Sequence, residues 1–165
     1  MVKYTTYRAL CWCLLLCIPS AHGQIVFSNA YGNAGLDHAR GIVQTLDDGY
    51  AVIGSTSSWG EGNSDAYLFK LNETGELLWA KTFGGTEVEW GHKIIEDEAG
   101  NLLFCGYSNS FSNNYDAYLV KTSSQGELIW EKALPGASWE FANDLCLDDA
   151  GAIYCLGTTY NGIQG

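Results

Sequence analysis

The sequence predicts an all-β fold made of repeated antiparallel units, and three observations support this prediction. The stretch DAYLFK at 65–70 returns as DAYLVK at 116–121, an offset of 51 residues. GELLW at 75–79 returns as GELIW at 126–130 with the same offset. Segments between turn signals are short, and none has a sustained helical period. A fixed period of this size is typical of repeat architectures, in which neighbouring units bury each other's apolar faces.

Four strands are predicted in the first complete repeat. They are the β-branched and apolar segments 42–46, 50–55, 66–71 and 77–83, bounded by turn signals such as Asp47-Asp48-Gly49. A loop rich in Ser, Gly and Asn separates the second strand from the third. Four short antiparallel strands per unit are typical of a β-propeller blade. The predicted fold is therefore a partial β-propeller of four-stranded antiparallel blades, with about two and a half blades in this chain.

The second repeat matches the first strand by strand, and a third repeat is half present. The corresponding strands are predicted at 94–96, 102–106, 116–122 and 128–134, and then at 145–147 and 153–157. The first strands of the two complete repeats are 52 residues apart, whereas the third strands are 51 apart. The one-residue deletion is therefore predicted in the loop between strands two and three, because a slip within a strand would turn every side chain to the other face.

The repeats also set the expected domain organisation. The repeat region is predicted at 24–165, divided into a closing strand (24–32), blade 1 (33–83), blade 2 (84–134) and an incomplete blade 3 (135–165). Phe27 aligns with Trp79, 52 residues later, so Ile25 to Tyr31 is interpreted as a lone fourth strand that closes a ring. Propellers usually have four to eight blades. We therefore expect an N-terminal fragment of a longer protein; the alternative is a short chain that completes a ring by self-association.

Residues 1–23 are predicted to be a secretory signal peptide. Lys3 and Arg8 precede an apolar run at 9–18, and small residues follow at the expected cleavage site after Gly23. The alternative is a membrane anchor, but the run has ten residues, about half of the roughly 20 that span a bilayer. We expect a secreted or cell-surface protein with no membrane insertion after cleavage.

Removal of this segment leaves a strongly acidic chain. The remaining chain has six Lys and Arg residues and 19 Asp and Glu residues, which gives a net charge of −13. Such a surface repels nucleic acid and anionic membranes, so neither is an expected partner. Three of the six cysteines are removed as well.

The repeat motifs resemble those of a known group of proteins. The pattern combines WAKTFGG at 79–85, DGY at 48–50 and SDAYLFKL at 64–71. It looks like the repeats of secreted bacterial β-propeller proteins, many of which end in a type IX secretion sorting domain. The resemblance implies the fold and export, and it supplies no catalytic motif. The third repeat departs from the pattern, because Leu134-Pro135-Gly136 stands where the first repeat has Phe-Gly-Gly.

Cys146 and Cys155 are predicted to face each other across a hairpin. A two-residue turn at Ala150-Gly151 would pair them directly, as it would pair Val43 with Val52 in the first repeat. In an exported protein such a pair indicates a disulfide. The alternative is two buried free thiols that behave as small apolar side chains, because a direct cross-strand disulfide is strained. Cys105 is expected to be buried and unpaired.

Tryptophans divide into two groups. Trp79 and Trp130 occupy the same point of strand four, which predicts packing between blades. Trp59 lies in the long loop, and Trp90 and Trp139 are predicted to precede strand one. Because loop aromatics stack on sugars and are common at binding hot spots, these three are the candidate ligand-binding residues. Their alternative role is packing of loops onto neighbouring blades.

Acidic residues are interpreted structurally. Asp65 and Asp116 open strand three in each repeat and are expected to accept backbone N–H groups in their own turns, with a calcium or ligand contact as the alternative. Glu87 and Glu89 are expected on a solvated face. No catalytic motif, cofactor or metal site is predicted.

These features predict a secreted, non-enzymatic β-propeller scaffold for ligand binding or adhesion at the cell surface. The expected partners are an extracellular ligand, either carbohydrate or protein, and the missing blades or C-terminal domains of the same protein. One alternative is part of an exported propeller enzyme, either polysaccharide-active or quinone-dependent. Another is a structural array without a ligand. Fold alone does not decide among them.

Overall fold

A computed structural model describes residues 27–160, which form ten β-strands and no helix. The strands are β1 (Asp37–Gln44), β2 (Tyr50–Thr56), β3 (Asp65–Leu71), β4 (Leu77–Phe83), β5 (Glu89–Glu96), β6 (Leu102–Ser108), β7 (Asp116–Thr122), β8 (Leu128–Leu134), β9 (Trp139–Leu147) and β10 (Ile153–Tyr160). The all-β prediction is confirmed. The predicted signal peptide lies outside the described residues. Within 27–160 no helix has the length and apolarity to span a membrane.

Strands that follow each other in sequence pair antiparallel within each sheet. The first sheet has the order β1-β2-β3-β4, the second β5-β6-β7-β8, and the third is the hairpin β9-β10. The second and third strands pair in the same register in the first two sheets. Thr56 lies opposite Asp65 in the first sheet, and Ser108 lies opposite Asp116 at the same place in the second. The loop between these strands is one residue shorter in the second sheet. The predicted position of the deletion is therefore confirmed.

The three sheets pack face to face. One buried cluster lies between the first and second sheets and includes Ile53, Leu68, Phe104 and Tyr118. A second cluster joins the second sheet to the third. Trp79 packs against the first cluster and Trp130 against the second. The predicted packing role of these two tryptophans is confirmed.

The first strands of the sheets lie side by side, with β1 next to β5 and β5 next to β9. We call this row of strands the inner row. Its strands begin earlier than predicted: β1 starts at Asp37 rather than at residue 42, and β9 starts at Trp139 rather than at residue 145. A β-bulge interrupts each of these strands. The bulge breaks the two-residue alternation, so the part before it does not show as a strand in the sequence.

The N-terminal segment covers the face of the first sheet that is turned away from the second sheet. Residues 27–36 lie in no strand, so the closing strand stays a prediction. Phe27 packs closely on Gly75 of the first sheet, and Trp79 packs in the same way on Gly126 of the second. Gly75 and Gly126 both have positive φ, where a side chain would be strained. The segment therefore reproduces on the first sheet a contact that β4 makes with the second.

Ion pairs stabilise the β1–β2 and β5–β6 turns. Lys121 Nζ lies 2.8 Å from Asp97 Oδ2. Burial opposes ionisation of Asp97, but hydrogen bonds from Lys121 and Asn101 outweigh it and lower its pKa to about 2. In the first sheet, Lys70 Nζ lies 2.5 Å from Asp47 Oδ1. The hydrogen bond from Lys70 is the main cause that lowers the pKa of Asp47 to about 2.

These lowered pKa values predict a loss of stability in acid. A carboxyl group with a lowered folded pKa stabilises the fold above its unfolded pKa, about 3.9, and that stabilisation is lost as the pH falls towards 2. Asp97→Asn is expected to lower the free energy of unfolding at pH 7 by about 2 kcal/mol and to flatten its pH dependence between roughly pH 4 and 2. Urea titrations at a series of pH values measure both effects.

The control is Asp149→Asn, which removes the same charge from an exposed turn residue that has no ion pair among residues 27–160. This variant is expected to follow the parent chain. Equal pH profiles for Asp97→Asn and the parent chain would contradict the prediction.

Candidate functional site

Three polar side chains of different kinds occupy the same bulge position on the inner row. The register skips Arg40 between Ala39 and Gly41, and it skips His92 in β5 and Asn143 in β9 in the same way. Arg40 and Asn143 are exposed and His92 is half-buried. Bulges commonly redirect side chains next to functional sites. We call Arg40, His92 and Asn143 the bulge trio.

Glycine makes this local geometry possible. Gly54 faces the bulge of β1, and a Cβ there would lie 1.7 Å from the His38 carbonyl oxygen. Gly106 stands at the same place beside β5, 1.7 Å from the carbonyl oxygen of Trp90. Real Cβ atoms do not approach a carbonyl oxygen so closely. The bulge and the facing glycine therefore form one unit that the repeats share.

The trio residues interact with each other across the sheets. His92 Nδ1 lies 3.2 Å from the Ala142 carbonyl oxygen in the third sheet. The Asn143 side chain also hydrogen-bonds His92, and Arg40 lies close enough to act on its charge. Burial lowers the pKa of His92, and the positive charge of Arg40 lowers it further, although the bonds from Ala142 and Asn143 oppose the shift. The neutral imidazole is therefore favoured, with one nitrogen as donor and the other as acceptor.

Trp90 holds Arg40 in place. The guanidinium carbon lies 4.7 Å from the centre of the Trp90 ring, in a cation–π contact. His38 packs on the same indole, with ring centres 5.3 Å apart. No carboxylate forms a salt bridge with Arg40 in the part of the chain that the structure describes. Arg40 is exposed, so its hydrogen-bond donors are accessible to solvent.

An aromatic chain continues from Trp90 to the end of the third sheet. Trp90 stacks on Tyr107 at 6.0 Å, and Tyr107 contacts Tyr115 at 5.4 Å. Tyr115 contacts Trp139 at 5.3 Å, and Trp139 contacts Tyr160 at 6.0 Å. Trp139 is 46% exposed and Tyr160 is 60% exposed. This aromatic chain ends in two rings that have free surface for a ligand.

The structure separates the three predicted ligand-binding tryptophans. Trp90 and Trp139 lie within β5 and β9, not before them as predicted, and the aromatic chain connects them. Trp59 instead packs on Tyr67 of the first sheet, 5.3 Å away, beside a groove of about 550 Å³. Phe111 packs on Tyr118 in the same way in the second sheet. A contact that both repeats make indicates loop packing, which was the alternative role of Trp59.

Asp65 and Asp116 differ from each other. Asp65 Oδ2 accepts the Gly62 N–H at 3.1 Å, as predicted for a residue in its own turn. Burial raises the pKa of Asp65, and the nearby Glu89 raises it further. Both carboxyl oxygens of Asp116 are buried without a hydrogen-bond partner among the described residues. The prediction is wrong for Asp116, because the shorter loop places no donor there.

Glu89 is fully buried rather than on a solvated face, so its predicted exposure is wrong. Its Oε1 accepts the Ser108 hydroxyl at 2.5 Å, and Oε2 accepts the Gly85 N–H at 2.9 Å. In the first sheet, Asp37 accepts the Asn33 N–H at 2.8 Å. An acidic residue therefore fixes the chain at the start of these inner strands.

The predicted disulfide between Cys146 and Cys155 is wrong. Cys146 lies opposite Tyr154, and Cys155 lies opposite Leu145, so the two cysteines lie on opposite faces of the hairpin. Both are free thiols, but both are exposed, so the buried position expected in the alternative is wrong as well. The Asp148 N–H donates to the Ala152 carbonyl oxygen, so the turn is one residue longer than predicted.

The turn has a local cause. The Asp148 side chain accepts the N–H groups of Ala150 and Ala152 at 2.9 and 2.8 Å. Gly151 adopts a φ of 79°, the left-handed conformation that typically closes a three-residue hairpin loop. The other repeats follow the same rule, since Val43 lies opposite Ala51 rather than opposite Val52.

No group of three His, Cys, Asp or Glu residues that could hold a metal ion occurs within 27–160. Sequence reasoning missed the bulge trio, although one signal was available. Arg40, His92 and Asn143 fall at matching repeat positions and differ in chemistry, whereas the packing residues Trp79 and Trp130 keep their type. No protein-family model matches the chain, and neither does any curated protein sequence.

Proposed function

We propose that this chain is part of a secreted, non-enzymatic β-propeller scaffold that binds a neutral carbohydrate along its inner row. Two successive four-stranded meanders and the first half of a third, packed face to face, support the assignment of the sheets as blades. The resemblance of the repeats to secreted bacterial propeller proteins supports export. The observation that carries the binding function is the bulge trio: three different polar side chains at one repeated backbone position, which the aromatic chain connects to two exposed rings.

Carbohydrate chemistry matches this surface. Sugar hydroxyls need donors and acceptors together, which the Arg40 guanidinium, the His92 imidazole and the Asn143 amide supply. The apolar faces of sugar rings pack on aromatic rings such as Trp139 and Tyr160. A neutral sugar is favoured over an acidic one, because the chain has a net charge of −11, and −13 after the expected cleavage.

Binding to neutral oligosaccharides tests the proposal. The full chain is titrated with cello-, xylo-, malto- and chito-oligosaccharides by isothermal calorimetry, with an acidic oligogalacturonate for comparison. We expect one neutral series to bind and the acidic series to bind more weakly. Arg40→Ala and Trp139→Ala are each expected to weaken binding at least about tenfold, which corresponds to about 1.4 kcal/mol. Lack of binding to every neutral series would contradict the proposal.

Trp59→Ala is the matched control. Trp59 is 41% exposed and Trp139 is 46% exposed, so the two substitutions remove similar amounts of exposed indole from different places. We expect Trp59→Ala to keep the parent affinity. Loss of binding in Trp59→Ala together with full binding in Trp139→Ala would place the site in the groove beside the first sheet instead.

One observation favours a second candidate, an exported propeller enzyme acting on polysaccharide. His92 is favoured in its neutral form and lies beside a fixed Arg40, which is an arrangement that general base catalysis can use. The same oligosaccharides separate the two functions when product formation is followed by mass spectrometry. Turnover that is lost in His92→Ala while binding persists would favour the enzyme. Binding without turnover supports the scaffold.

A further inference from the structure

We propose that Cys105 and Cys155 form a redox-active pair that closes as a disulfide between the second and third sheets. This pair replaces the cross-strand disulfide that the sequence suggested. It does not rest on carbohydrate binding, and its test contains no ligand, so the two proposals fail separately. Three features support the pair: the register of the third sheet, the repeat, and the proximity of the two thiols.

The register directs Cys155 towards the second sheet. Cys155 lies directly opposite Leu145 on β9, and residues that face each other in an antiparallel pair share one face. Leu145 is buried in the cluster between the second and third sheets. Cys105 on β6 belongs to that same cluster and is fully buried. Both thiols therefore face the same intersheet space.

The repeat indicates the same pair independently. Cys105 occupies the position that Ile53 has in the first repeat, because each directly precedes the glycine that faces the inner-strand bulge. Cys155 occupies the position that Phe104 has in the second repeat, two residues before the corresponding glycine. Ile53 and Phe104 belong to one buried cluster between the first two sheets. At the next intersheet space the same two positions hold cysteines.

The two thiols are neighbours. Each is near enough to influence the ionisation of the other, although no strand pairing joins β6 to β10. Burial raises the pKa of the Cys105 thiol to about 12. Cys155 is the exposed member of the pair, so an oxidant reaches it first.

Oxidation then proceeds by thiol–disulfide exchange with a disulfide oxidant such as oxidised glutathione. The Cys155 thiolate attacks one sulfur of the oxidant, forms a mixed disulfide and releases one thiol. Cys105 loses its proton and attacks Cys155 Sγ, which releases the second thiol. Two protons and two electrons pass to the oxidant, and the bond between Cys105 and Cys155 forms. An oxidising extracellular compartment would maintain it.

Peptide mapping tests the pair. The full chain is incubated with oxidised glutathione, free thiols are alkylated in acid-quenched denatured protein, and trypsin is added. Cys105 lies in the tryptic peptide 94–121, whereas Cys146 and Cys155 share the peptide that begins at Ala133. We expect these two peptides to be linked until a reductant is added. Alkylated Cys105 in the oxidised protein would overturn the proposal.

Two variants identify the second cysteine. Cys146→Ser is expected to keep the link, and Cys155→Ser is expected to abolish it. A link that persists in Cys155→Ser would assign the bond to Cys146 and overturn the proposal. Mapping of the parent chain with a protease that cuts before Asp148 makes the same distinction without any substitution, because that cut separates the two cysteines.

Discussion

Phe104→Ala is expected to lower the free energy of unfolding by about 4 kcal/mol, since it removes a large side chain from a tightly packed core. Phe104 is fully buried between the first and second sheets. Its ring centre lies 5.6 Å from that of Phe83 and 6.2 Å from that of Tyr118. Domains have total stabilities of only about 5–15 kcal/mol. Urea unfolding followed by circular dichroism measures the change.

The control for this substitution is Phe111→Ala. Phe111 is 49% exposed in the loop that follows β6, where it packs only on one side. The same atoms are removed, but the cavity opens to solvent, so we expect a loss below about 1 kcal/mol. Equal losses for the two variants would show that the intersheet cluster is not the main core.

Glu89→Ala is the second large effect, with an expected loss of about 3 kcal/mol. The substitution leaves the Ser108 hydroxyl and the Gly85 N–H without their acceptor inside a buried site. It also removes the atoms that fill the space over Gly84. Thermal and urea unfolding of the variant measure the loss. A stability equal to that of the parent chain would mean that water replaces the carboxyl group without cost.

Two further variants separate burial from charge. Glu87→Gln changes an exposed acidic residue two positions earlier and is expected to leave the stability unchanged. Glu89→Gln keeps one oxygen acceptor but directs an amide donor at a second donor, so its stability should fall between those of the parent chain and Glu89→Ala. A loss in Glu89→Gln as large as that in Glu89→Ala would show that the second acceptor carries the whole effect.

The strands could be predicted from the sequence because the repeat aligns them with one another. Trp79 and Trp130 recur at one position, and recurrence at a packing position needs no knowledge of the partner. The early part of β1 could not be predicted, because the bulge at Arg40 interrupts the alternation on which a strand is recognised. Residues before the bulge therefore resemble a loop.

Local turn chemistry explains the errors at individual sites. The disulfide prediction assumed a two-residue turn. The turn has three residues, so the register differs by one residue and the two cysteines lie on opposite faces. The burial of Glu89 could not be predicted either. It depends on a hydroxyl from β6 and an N–H from the preceding loop, which meet only in the folded chain.

The bulge in each inner strand has a consequence for how this protein can change over time. The register skips the bulged residue in pairing, so its side chain can change while the strand partners stay in place. Arginine, histidine and asparagine already occupy the position in three successive repeats. The recognition proposed for this position can therefore be altered one repeat at a time by single substitutions, without a change in strand pairing.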